Sequence, residues 1–67
     1  MSVLKVIEIM ASSEKSWEDA VQNAVKTAGK TLKGIRSVWI QDQSAVIKNN
    51  EILEFRVTCR ISFEVFD

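Results

Sequence analysis

An α+β fold is predicted, with one helix packed on a three-stranded antiparallel sheet in the order β-α-β-β. Three observations predict it. The segment from Glu51 to Phe66 alternates apolar and polar residues with period two, the mark of a strand that buries one face. The segment after Ser16 carries apolar residues at offsets of three and four, the mark of an amphipathic helix. Asn49-Asn50 separates two strand-like runs, and asparagine tolerates the positive φ of a tight hairpin turn.

The first strand is read over Val3 to Met10, which is rich in β-branched residues. Its apolar side chains fall on both sides: Val6 and Met10 on one, Ile7 and Ile9 on the other. Both faces are therefore expected to be covered, one of them by another subunit.

A loop over Ala11 to Lys15 leads to the helix. Ser16 is the expected N-cap, its hydroxyl accepting the backbone N–H of Asp19, which stands at the third helical position. Glu14, Glu18 and Asp19 suit the positive end of the helix. Trp17, Ala20, Val21, Ala24, Val25, Ala28 and Leu32 form the apolar stripe. The stripe is mostly small, so the helix can lie close on the sheet. Gly34 is expected to end the helix as its C′ residue, with Lys30 and Lys33 beside the negative end.

The second strand is read over Arg36 to Lys48. Simple alternation puts Trp39 on one side with Ser37, Gln41 and Gln43. In the third strand Phe55, Val57, Cys59, Ile61, Phe63 and Val65 form the inward face. Glu54, Arg56, Thr58, Arg60, Ser62 and Glu64 form the other.

Sixty-seven residues make a single domain, read here as residues 1–67. A chain this short buries only about 60% of the surface its unfolded form exposes, so its core is marginal. One cysteine and no histidine exclude an intrachain disulfide, a Cys/His zinc site and any His-based catalytic dyad or triad. Oligomerisation is the remaining way to stabilise so small a domain. Nine basic and nine acidic residues are interspersed, with no basic stripe, so neither nucleic acid nor an acidic membrane is an expected partner. No apolar run approaches the length of a membrane span. The opening MSVLKVIEIM reads as no export signal, and the unpaired thiol suits the cytoplasm.

Trp39 is the most informative residue. It is an aromatic platform for a planar ligand, an anchor buried between subunits, or both at once, and the sequence leaves these readings open. Trp17 is read as core packing and Cys59 as a small buried hydrophobe. Arg56 and Arg60 share a face; ion pairs with Glu54, Glu64 or the acids of a neighbouring subunit are favoured there over a bound phosphate or carboxylate. Glu8, Glu14, Glu18 and Asp19 show no spacing of a calcium loop and are read as solvated charges. No nucleophile-base pair and no glycine-rich phosphate loop is present, so no enzyme is expected.

The ordered set KVIEI, ASS…SWEDAV, A…TL, VWIQDQ and EFRVTCRISFEV resembles the dodecins over nearly the whole chain. The resemblance implies a sheet wrapped round the helix and a hollow homododecamer. It also implies storage or scavenging of a flavin, riboflavin or FMN, between tryptophans of facing subunits. Alignment on Thr31 and the third strand puts the family's flavin tryptophan at Ser37 and its glutamine at Arg56, with Trp39 two residues further on. The implied flavin contacts are Trp39, Ser37, Gln41, Asp42 and Arg56. The alternative is a shell without flavin, with a structural role or a bound cation or small ligand.

Overall fold

A computed structural model of the chain describes residues 3–65. Strand β1 spans Val3–Ser13, helix α1 Trp17–Ala28, strand β2 Ile35–Lys48 and strand β3 Glu51–Val65. The strands form one antiparallel sheet in the order β1-β3-β2. The strand with the clearest alternation is therefore the central one, and β1 and β2 are its edges. Phe66, assigned to the third strand from sequence, lies outside the described residues.

The helix starts where the sequence places it. Ser16 is extended, with φ −169 and ψ 166, and its hydroxyl accepts the Asp19 N–H at 3.0 Å. The Asp19 carboxylate accepts the Ser13 hydroxyl at 2.6 Å, and Ser13 Oγ in turn accepts the Lys15 N–H at 2.9 Å. This network explains why β1 runs on to Ser13, where a loop was expected after Met10. Ala11, Ser12 and Ser13 go on pairing with Val57, Arg56 and Phe55, and the buried Ser13 hydroxyl is satisfied. Ser16→Ala is expected to cost about 0.5–2 kcal/mol, the usual value of an N-cap. Thermal melting followed by circular dichroism checks it; an unchanged midpoint would show that the cap adds nothing.

The end of the helix departs from the expectation. α1 stops at Ala28 and is capped by Gly29, which keeps a right-handed φ of −65. The chain then winds on in single turns, with Lys30 N–H bonded to Thr27 O at 3.2 Å and Leu32 N–H to Ala28 O at 2.9 Å. These turns keep Leu32 on the apolar side, which is why the stripe overruns the helix. Gly34 does use its conformational freedom, at φ 72, but at the entrance to β2. There its carbonyl accepts the Glu64 N–H at 2.9 Å. Asn49 and Asn50 have φ 54 and 65, the double positive φ of a type I′ hairpin turn.

The core lies between the helix and the inward face of β3. Val57, Cys59 and Ile61 are buried there, with Ala20 and Ala24 from α1. The two alanines let the helix approach the sheet closely. Trp17 meets the edge of Phe55 at 4.8 Å and donates its Nε1–H to the Ser44 carbonyl at 2.8 Å. It thus ties the helix start to the hairpin, with its polar atom satisfied. Burial pushes the Cys59 thiol above its ordinary pKa, as suits a buried hydrophobe. The core is small for the apolar content of the chain. Leu4, Val6, Met10, Trp39, Ile47, Ile52 and Leu53 all stay at least half exposed.

Candidate functional site on the helix-free face of the sheet

The strand register sorts the face away from the helix into rows. Val6, Ser62 and Ser37 form one row; Glu8, Arg60 and Trp39 the next; Met10, Thr58 and Asp42 the third; Ser12, Arg56 and Ser44 the fourth.

A bulge in β2 shapes the second and third rows. Ile40 opposes Cys59 and Asp42 opposes Thr58, so Gln41 is an extra residue with no partner of its own. The bulge inverts the alternation beyond it. Asp42 joins Trp39 on the helix-free face, while Gln43 turns to the helix side opposite Val57. There Gln43 borders a cleft with Trp17, Val21 and Ile40. The expectation that Gln43 shares the side of Trp39 is therefore corrected. No glycine or proline marks the bulge, and plain alternation cannot see it.

Trp39 is 68% exposed, large for an aromatic residue on a sheet face. Arg60 stands directly across the ladder from it. The Arg60 Nε–H donates to Gln41 Oε1 at 2.9 Å and lies 3.7 Å from Glu8 Oε2. The bulged amide and an acid of β1 thus hold the guanidinium in place. Ser37 and Ser62 share a hydroxyl–hydroxyl hydrogen bond of 2.6 Å in the adjoining row. The structure therefore gathers Ser37, Trp39, Gln41 and Asp42 around Arg60. Arg56 stands two rows away, about 13 Å along β3, and donates its Nε–H to Glu54 at 3.1 Å. Glu64 bonds Arg36 at 2.8 Å, not either arginine of β3.

Sequence reasoning missed the pairing of Arg60 with Trp39, because register is set by bulges that it could not place. The available signal was weaker: Arg60 belongs to the polar face of the third strand.

Chemically, this face offers an indole for stacking, a guanidinium that only donates, a carboxylate that accepts and hydroxyls that do both. The acids proposed from sequence do not converge. Glu8 is on this face, while Glu14, Glu18 and Asp19 surround the start of α1 on the other side. Among the described residues, no three of His, Cys, Asp or Glu stand together as metal ligands, and no helix is long and apolar enough to cross a membrane.

Residues 3–66 match the family model of the dodecins. The chain belongs to the dodecin family. Dodecins are small ligand-binding proteins that form multimers. A Mycobacterium tuberculosis relative, calcium dodecin, is 32% identical over 65 residues, covering 97% of this chain and 92% of its own. An arginine-to-alanine variant of Thermus thermophilus dodecin superposes with a TM-score of 0.95 at 25% identity over the full length of both chains. The crystal structure of the M. tuberculosis protein, described as calcium-chelating with a novel calcium-binding site, gives a TM-score of 0.85 at 31% identity. It covers 97% of this chain and 93% of that one.

Proposed function

We propose that this dodecin assembles as a hollow homododecamer in the cytoplasm and stores or scavenges a flavin, riboflavin or FMN, without acting as an enzyme. The observation that carries the reading is the exposed Trp39 with an anchored Arg60 across the ladder from it. Stacking a planar ring on an aromatic side chain is worth about 0.5–1.5 kcal/mol beyond the area buried. A ring held between the tryptophans of two copies gains this twice.

The polar neighbours fit the edge of such a ring. Arg60 donates to a ring carbonyl but cannot accept from a ring N–H. Asp42, brought onto the same face by the bulge, supplies the acceptor. Ser37 and Gln41 complete the polar border. Arg56, two rows off, enters this reading only as a contact made from a neighbouring copy.

A second reading has one specific observation in its favour, the 32% identity to a relative named calcium dodecin. In it the shell holds a cation or another small ligand in place of flavin. With no ligand cluster among the described residues of one chain, carboxylates such as Glu8 and Asp42 would have to converge from different copies.

Titration of riboflavin and FMN into unfolded and refolded protein separates the two. Flavin fluorescence reports binding, because a ring stacked on indole is quenched, and light scattering gives the mass of the species. Saturable quenching by a dodecamer is expected. A dodecamer that leaves flavin fluorescence unchanged overturns the flavin reading, and calcium titration by calorimetry then tests the alternative.

A further inference from the structure

The bulge in β2 decides which polar groups stand beside Trp39, and with them which ring edge this face accepts. In a strand without the bulge, simple alternation would put Gln41 and Gln43 on the side of Trp39. The extra residue at Gln41 turns Gln43 to the helix side and brings Asp42 onto the face of Trp39, opposite Thr58. Thr58 is two residues from Arg60 on β3, so Asp42 lies one row from the guanidinium, about 7 Å along the strand. An amide, which donates and accepts, is thereby exchanged for a carboxylate, which only accepts.

The ion pairs of this face leave that carboxylate open. Arg56 bonds Glu54 at 3.1 Å and Arg36 bonds Glu64 at 2.8 Å. Arg60 is held by Gln41 at 2.9 Å, with Glu8 3.7 Å away. Both contacts of Arg60 are made through Nε, so its two Nη groups stay free to donate to a ligand. Asp42 is exposed, and among the described residues it makes neither an ion pair nor a side-chain hydrogen bond.

We infer that Asp42 makes the site selective for a ring that carries an N–H beside a carbonyl. The inference rests on the flavin reading and names the part of the flavin that is read. Arg60 only donates and Asp42 only accepts, so the order of polar atoms along the ligand edge is fixed. A carbonyl must point to the guanidinium and an N–H to the carboxylate. The isoalloxazine ring has such an edge at N3, between the carbonyls at C2 and C4, and riboflavin, FMN and lumiflavin share it. Trp39 makes no such choice, because any planar ring has a face to stack. Glutamines beside Trp39 would accept either order. A ring that sets a methyl group or a second acceptor against Asp42 leaves the carboxylate desolvated without a donor, and such a ring is rejected.

Lumiflavin and its N3-methyl derivative test the choice. They differ by one methyl group and both fluoresce, so quenching titrations on the refolded assembly rank them directly. The parent is expected to bind lumiflavin at least about ten-fold more tightly than the methylated ring. Asp42→Ala is expected to bind lumiflavin more weakly than the parent does, and to bind the two rings with equal affinity. Its mass by light scattering and its melting midpoint are expected to match the parent, because the side chain removed is exposed. The inference is overturned if the parent binds both rings equally, or if the preference survives in Asp42→Ala. In either case the bound lumiflavin leaves the flavin reading standing. A parent assembly that binds neither ring overturns that reading, and this inference with it.

Discussion

Ile61→Ala is expected to destabilise the domain by about 2–5 kcal/mol, the range for removing a large aliphatic side chain from a packed core. Ile61 is completely buried on the central strand, between Ile7 of β1 and Val38 of β2. All three strands border it, so the cavity cannot close by moving one edge. A domain of this length has roughly 3–10 kcal/mol of stability in total. The replacement therefore removes a large fraction of it. Each kcal/mol shifts the melting midpoint of so small a domain by about 4–8 °C, so a fall well above 10 °C is expected. Ile61→Val, which deletes less, is expected to cost only about 0.5–1.5 kcal/mol. Melting by circular dichroism at one fixed protein concentration measures both, since the midpoint of a multimer depends on concentration. If the alanine variant melts no lower than the valine variant, the burial of Ile61 contributes nothing to the stability of the core.

Ile61 was legible in the sequence because its signal is local. A period-two strand and a 3.6-period helix each bury one face, and those faces must meet. The same holds for the Ser16 cap and for Asn49-Asn50, where a single residue type meets a single backbone demand. What was not legible depends on partners distant in the chain. The helix ends at Ala28, yet Leu32 continues its stripe through turns that hydropathy cannot tell from helix. β1 reaches Ser13 because Asp19 receives the Ser13 hydroxyl, a bond that only the folded loop creates.

The candidate site shows the same division more sharply. Trp39 was readable as an aromatic residue on a polar strand face. Its neighbours were not, because the β2–β3 ladder shifts register at three places, near Arg36, at Gln41 and at Leu53. Each shift changes which residues stand opposite, and the one at Gln41 also exchanges the sides of Asp42 and Gln43. The flavin contacts carried by the dodecin resemblance could therefore be named one by one, while the guanidinium across from Trp39 had to come from the register. That guanidinium is Arg60.

Trp39→Ala is expected to weaken flavin binding by at least about ten-fold, the equivalent of 1.4 kcal/mol, while the assembly melts where the parent does. The first part follows from stacking, which is lost once on each side of a ring held between two copies. The second follows from exposure: a side chain 68% open to solvent has little packing to lose, and replacements at such places usually change stability by less than about 0.5 kcal/mol. Arg60 keeps its bonds to Gln41 and Glu8 in the variant, so the polar edge of the site survives. Flavin fluorescence titration and thermal melting on the same preparation read both quantities. The opposite pattern has an equally definite meaning. Unchanged flavin affinity together with a lower midpoint and a smaller assembly would make Trp39 an anchor between subunits, because only a side chain buried by a neighbouring copy destabilises on truncation. The two roles of an exposed tryptophan on a sheet face thus separate along different axes. A ligand platform lowers affinity at constant stability, and an interface anchor lowers stability at constant affinity.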